Sequence, residues 1–301
     1  MMENNQTLFI KELLELVKRD SPNIRISQTC ISDWSFFNLI EDSDPNIISN
    51  KVYTGFHRDP SVALQKSISE YFERKAFLRT QYSSSDGFAA YPSSPNHILG
   101  REQARKNALN EATERYVWAK WWDDNTAAKI EKYNKNHFYK FKSLIDLIDQ
   151  YIPCRNIYLI KPSFRHSLNF PLIETMMIFW ESKENGFICA GASGNPTDET
   201  STLERVFAEL IRHAIAAHRA KKQSMVPRTF YEKRLCFFAN GYGDDLVHLR
   251  LNKFPRDFIQ LPVLDIDRPV DHEYSDRVSV HHCLYRDQPQ FLSGKVERFC
   301  I

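Results

Sequence analysis

One pattern occurs twice in this chain. Glu-x-x-Glu-Arg is spelled by Glu70, Glu73 and Arg74 in SISEYFERKAF (Ser67–Phe77) and by Glu111, Glu114 and Arg115 in NEATERYVWAKWW (Asn110–Trp122). Helical residues three apart point within about 60° of one another, so both glutamates of each copy share a face. In the first helix Ile68 and Phe72 point the other way, towards a core, while Lys66 lies on the glutamate face; in the second, Asn107 shares the face of Glu111 and Glu114. Each copy sits late in a helix that follows a strand-like run and a small-residue loop. The first unit spans Val52–Leu78, where Asp59-Pro60 signals a helix start, and the second spans Ser85–Trp122. A third unit without the motif, FICAGASGNPTDETSTLERVFAELIRHAIAAHRAKK (Phe187–Lys222), follows a hairpin expected to turn at Asn185-Gly186. Three strand–loop–helix units argue for an α+β fold, mixed sheets with packed helices, and against a helical bundle.

The remainder is read from periodicity. The N-terminal stretch MMENNQTLFIKELLELVKRD has helical apolar spacing and acidic residues, unlike a signal peptide, and reads as a docking helix. Thr126–Tyr151 reads as amphipathic helix, and RNIYLIKP and RLCFFAN read as strands. Near the C-terminus SVHHCLYRD and KVERFCI read as strands, and NGYGDD (Asn240–Asp245) as a turn before a strand. DIDRPVDHE together with His281-His282 offers metal-type side chains but no ligand spacing, and is expected to be surface loop.

Charge and cysteine content exclude several classes. Lys+Arg 40 against Asp+Glu 38 gives a formal charge of +2, which implies no extended nucleic-acid or membrane footprint. The basic run HRAKK (His218–Lys222) is the solvated end of a helix. The six cysteines are dispersed without a C-x-x-C pair, which argues against a zinc ribbon or dithiol motif. The longest apolar run, TMMIFW, is too short to span a bilayer, and a cytoplasmic location is expected.

A glutamate-rich helix face beside an arginine is usually solvated surface. One copy arises by chance in about one chain in ten of this length, but two in about one in a few hundred, and both copies hold the same place in their unit. Four carboxylates converging from two helices repel one another unless a cation lies among them. Oxygen-only donors suit Mg²⁺, which commonly bridges to substrate phosphates and so points to ATP or a similar nucleotide. Arg74 and Arg115 are placed to contact phosphate or to hold the glutamates. No G-x-x-x-x-G-K-[ST] or G-x-G-x-x-G occurs, so this is neither a P-loop nor a Rossmann site.

These residues resemble the YcaO family in three places. SISEYFER is similar to its first Ser-x-x-x-Glu-x-x-Glu-Arg helix. SDGFAAY with EQARKNALNEATER resembles its Ser-Asn-Gly-Leu-Ala-Ala loop and Ala-rich helix, and GASGNPTDETSTLERVFAELIR its Gly-rich turn and Ala-x-x-Glu-x-x-Gln helix. The resemblance implies one YcaO-like domain over 1–301, with an N-terminal segment (1–50), nucleotide-binding motifs (51–222) and a C-terminal segment (223–301). It implies ATP and Mg²⁺ as cofactors and activation of a peptide backbone amide, giving a thiazole or oxazole precursor (azoline), a thioamide or an amidine in a ribosomally made peptide. A precursor peptide and a separate leader-binding partner protein are then expected, with a homodimer as a further possibility. Carried over by position, Glu70, Glu73, Glu111 and Glu114 are the metal ligands, and Ser67, Arg74, Asn96, Arg115, Glu209 and Arg212 contact the nucleotide or its ligand shell. Lys66, Gln103 and Arg212 stand where the family pattern has serine, an acid and glutamine, and these departures favour the alternative of a degenerate, non-catalytic scaffold or binding subunit; the Pro-rich tail of azoline-forming members is not matched, which counts against the azoline outcome.

Overall fold

The computed structural model describes residues 5–31, 33–41, 52–80, 86–92, 98–165, 172–222, 227, 230–253, 257–289 and 296–299. The chain divides into two compact units, residues 1–109 with 266–283 and residues 110–265 with 284–301. The helices and several antiparallel sheets make an α+β protein, as the three repeated units predict.

The first unit opens with helix α1 (Asn5–Asp20), followed by strands β1 (Ile24–Ile31), β2 (Trp34–Glu41) and β3 (Val52–His57), helix α2 (Pro60–Leu78), strand β4 (Phe88–Pro92) and the start of helix α3 (Ile98–Asp124). α1 is the docking helix its spacing predicts: Ile10, Leu13 and Val17 are buried against Ile68, Tyr71 and Phe72 of α2 in one apolar cluster. β1, β2 and β3 form an antiparallel sheet in that order. The start of α2 follows the sequence signal, with Pro60 in the first turn and the Asp59 carboxylate accepting from Ser61 N at 2.8 Å.

The second unit contains the rest of α3, then β5 (Ala128–Tyr133), a 3₁₀ turn (Lys135–Phe141), α4 (Lys142–Tyr151), β6 (Cys154–Pro162), β7 (Phe164–Arg165), β8 (Glu174–Ser182), β9 (Phe187–Gly194), α5 (Glu199–Lys222), α6 (Phe230–Ala239), α7 (Asp244–Asn252) and β10 (Ile259–Gln260). β11 (Leu264–Pro269) and β12 (Val278–Tyr285) follow; they pair with β4 in the order β11-β12-β4, and most of both strands belongs to the first unit. β5-β6-β8-β9 is an antiparallel meander, and β8, central in it, is buried along nearly its whole length. The β8–β9 turn falls at Asn185-Gly186 as expected, with Gly186 at φ +90°. A Cβ there would lie 2.2 Å from the Ala239 carbonyl oxygen, and Gly186 N donates to Asp244 Oδ2 at 3.1 Å.

An aromatic cluster fills this unit. Phe299 lies 4.2 Å from Phe238 and 4.6 Å from Phe179, ring centre to ring centre. The indole N–H groups of Trp118 and Trp122 donate to the carbonyls of Phe299 (2.9 Å) and Glu297 (3.0 Å). Segment 296–299 is thereby pinned by main-chain bonds to side chains, not by strand pairing.

Four sequence readings are corrected. Thr126–Tyr151 is not one helix: AKIEKY is strand β5, paired with β6, and only Lys142–Tyr151 is α-helical. RLCFFAN lies in and just after helix α6, because a short buried apolar run has no period of its own. The described part of KVERFCI, residues 296–299, is turn and irregular chain. The turn at NGYGDD is present, with Gly241 at φ +85°, but leads into helix α7. SVHHCLYRD does contain a strand, β12, and HRAKK closes helix α5.

Candidate functional site

In the first unit, the strand before the glutamate helix rests directly on it. A Cβ on Gly55 of β3 would come within 1.7 Å of the Ala63 carbonyl oxygen and 2.5 Å of Ser67 N, so only glycine allows this approach. That contact brings the Thr54 N–H onto Glu70 Oε2, while Arg74, one helical turn on, donates to Glu70 Oε1. The Arg74 guanidinium lies 5.5 Å from the centre of the Tyr53 ring, and Tyr53 donates to Glu41 at 3.1 Å. Glu70 is thus an oriented carboxylate held from both sides, with lone pairs to spare, since two oxygens offer about four acceptor positions. Glu73 lies one turn further along α2 and is half-buried. Lys66, exposed, reaches back to the Phe56 carbonyl at 3.2 Å.

In the second unit the glutamates of α3 meet the third strand–loop–helix unit. Arg115 pairs with Glu111 at 2.7 Å within the helix. Glu114 keeps a little exposed surface, but its carboxyl is enclosed, and burial pushes it up to about 7. Arg115 and Arg205 pull it down, Glu209 pushes it up, and a main-chain hydrogen bond from Ser193 pulls it down. The end of β9 therefore supplies a backbone donor, and α5 supplies one cation and one anion. Arg205 Nη2 also donates to the Ser193 carbonyl at 2.6 Å, and a Cβ on Gly194 would stand 2.6 Å from that same Nη2. The start of α5 is capped by Asp198, whose Oδ1 accepts from Ser201 N at 3.1 Å. Further along α5, Glu209 pairs with Arg212 at 3.0 Å. His213 beside it bonds the Cys189 carbonyl, and burial lowers its basicity.

The structure places the sequence candidates unevenly. Glu70 and Arg74 are joined in one unit, and Glu111, Glu114, Arg115, Glu209 and Arg212 cluster in the other. Ser67 does not share the glutamate face: it is fully buried, and its hydroxyl donates to the Leu64 carbonyl at 2.8 Å. Asn96 lies outside the described residues. Asn107 bonds Gln103 at 2.8 Å, so the departure Gln103 is tied into its own helix. Arg205 was missed by sequence reasoning, although its position one turn before Glu209 was a usable signal.

An enclosed acid near its midpoint at neutral pH, a second acid and two arginines make a donor set of oxygens and phosphate-type cations. Such a set fits Mg²⁺ with a nucleotide and is unsuited to zinc or copper.

Among the described residues no helix is long and apolar enough to cross a membrane. No protein-family model matches the sequence, and no curated protein matches it. Solved structures do match. YcaO from Methanopyrus kandleri bound with AMPPCP and Mg²⁺ is similar at TM-score 0.59 and 10% identity, over 98% of this chain and 94% of that one. The E. coli microcin synthetase McbBCD complex with pro-MccB17 bound is similar at TM-score 0.54 and 10% identity, over 87% of each chain. The fold of this chain is YcaO-like.

Proposed function

We propose that this protein is an ATP- and Mg²⁺-dependent enzyme that activates a backbone amide of a precursor peptide, in the biosynthesis of a ribosomally made modified peptide. The observation that carries the reading is the enclosed Glu114 carboxyl, set among Arg115, Arg205 and Glu209 and bonded by the Ser193 main chain. Glu70, Glu73, Glu111 and Glu114 are the proposed Mg²⁺ ligands, and Arg74, Arg115 and Arg205 the proposed phosphate contacts, with Glu209 and Arg212 in their shell. When bound, ATP supplies the phosphoryl group that turns the amide oxygen into a leaving group after a nucleophile has added to the carbonyl. The chain's own residues orient and neutralise charge: Thr54 N–H and Arg74 fix Glu70, and Arg205 holds the β9 end beside Glu114. The similar M. kandleri protein was solved with AMPPCP and Mg²⁺, and the similar microcin synthetase as a complex with pro-MccB17. The first supports the nucleotide-and-metal reading, and the second a precursor peptide met within a partner-protein complex, where a separate leader-binding partner is the proposed companion of this chain. Cyclodehydration to an azoline, and thioamide or amidine formation, are the candidate outcomes.

The test is mass spectrometry of candidate precursor peptides incubated with the protein, its partner and Mg·ATP. A loss of about 18 Da marks cyclodehydration and a gain of about 16 Da sulfur-for-oxygen exchange. ATP consumption that persists undiminished in Glu73→Gln and Glu111→Gln counts against the reading.

A second reading, a non-catalytic scaffold or binding subunit, is favoured by one observation. Acids of all three motifs are paired with an arginine on their own helix, Glu70–Arg74, Glu111–Arg115 and Glu209–Arg212. On this reading Mg·ATP does not raise the melting temperature, whereas a ligand that binds only the folded state must raise it.

A further inference from the structure

The segment DIDRPVDHE and the His281-His282 pair, expected in a surface loop, lie instead largely on strands β11 and β12 of one sheet. Side chains alternate along β12. Val278 and Val280 join the apolar cluster, and His282 stacks on Phe88 of that cluster with ring centres 4.0 Å apart. His281 and Cys283 therefore share the opposite face. Asp267 of β11 meets them there: His281 Nε2 lies 2.8 Å and Cys283 Sγ 3.6 Å from the same oxygen, Asp267 Oδ1. One ligand-type atom from each of the three lies within 4.8 Å of the others.

We infer that Asp267, His281 and Cys283 form a binding site for a single thiophilic divalent cation, zinc by preference. The donor set is one imidazole nitrogen, one sulfur and one carboxylate oxygen, which suits zinc and is wrong for magnesium. Around a tetrahedral zinc with bonds of about 2.0–2.3 Å, ligand atoms stand about 3.3–3.6 Å apart. The sulfur–oxygen distance already meets that spacing, and the nitrogen–oxygen pair, drawn together by its hydrogen bond, has to open by about 0.5 Å on the same geometry. The site has a dry floor and an open rim: His281 and Cys283 are buried, while the Asp267 side chain is 28% exposed. A cation enters from the rim, and a fourth position remains for water. Arg105 of α3 forks onto both oxygens of Asp267 (2.5–3.1 Å), orienting the carboxylate as outer partners of metal ligands commonly do.

The cluster does not make a nucleophilic cysteine. The thiol donates to the Asp267 carboxylate, a weak base, and not to the imidazole, so the sulfur lacks the hydrogen-bonded imidazole of a Cys–His pair. Nor does the site depend on the nucleotide reading, because none of its residues is among the motif glutamates.

The test is Co²⁺ titration of the metal-stripped full chain, followed by absorbance. One equivalent is expected to give a thiolate-to-cobalt charge-transfer band with tetrahedral d–d bands, bleached by equimolar Zn²⁺ and untouched by a large excess of Mg²⁺. Cys283→Ser is expected to lose the charge-transfer band, and Cys30→Ser and Cys236→Ser to keep it. Asp267→Ala, at the exposed rim and so independent of whether Cys283→Ser folds, is expected to weaken zinc at least tenfold. No band with the wild type, a band surviving in Cys283→Ser, or unchanged affinity in Asp267→Ala would each overturn the inference.

Discussion

Arg205 donates to the carbonyl of Ser193 at 2.6 Å, and through that one bond α5 is fastened to the end of β9 where Glu114 meets the Ser193 main chain. Arg205→Leu removes both the bond and a positive charge beside Glu114. The Glu114 carboxyl should then titrate still higher than about 7, readable by carboxyl NMR, and the lost bond should cost about 1 kcal/mol in urea denaturation. An unmoved Glu114 titration would contradict the arrangement.

The raised Glu114 pKa has a stability consequence whose sign is opposite to that of a salt-bridged acid. Between its unfolded value of 4.5 and its folded value of about 7, the folded protein holds the proton and the unfolded chain does not. This contribution is complete below pH 4.5 and is lost as pH rises through about 7, to a total of about 3 kcal/mol. Chemical denaturation at pH 5 and pH 8 should therefore show a steeper loss for the wild type than for Glu114→Gln. Equal slopes would refute the enclosed state of the acid.

Gly55→Ala should be among the most damaging single-methyl substitutions in the first unit. Its Cβ would stand 1.7 Å from a helix carbonyl, which is backbone and cannot swing away. β3 must lift from α2, taking Thr54 N off Glu70, at a cost of about 3 kcal/mol or more. A denaturation midpoint within error of wild type would show that the strand has room to move.

Phe299→Ala should cost about 3–5 kcal/mol, because the ring is fully buried between Phe179 and Phe238. Calorimetry of the variant checks this. A small loss would mean the tail is only loosely seated.

Local signals with a short-range cause were legible in the sequence. Asp59-Pro60 fixed a helix start because capping involves only neighbouring residues, and Asn185-Gly186 marked a turn because Gly186 takes a positive φ. The buried face of Ile68 and Phe72 followed from helical spacing alone. What escaped depends on contacts between distant segments. RLCFFAN carries apolar side chains that fit a strand or a helix equally well, and its surroundings in the second unit decide for helix. Arg205 matters only because the β9 end folds back onto α5. Asp267, His281 and Cys283 show no ligand spacing, since strand pairing, not sequence order, brings them together.

The turn at Asn185-Gly186 has a consequence for how this chain can be altered. A hairpin tip is ordinarily where insertions and tags are best tolerated. Here the tip abuts the Ala239 carbonyl and is latched to Asp244, so added residues would pry α6 and α7 from the meander. Lengthening at this point should be refused by the fold.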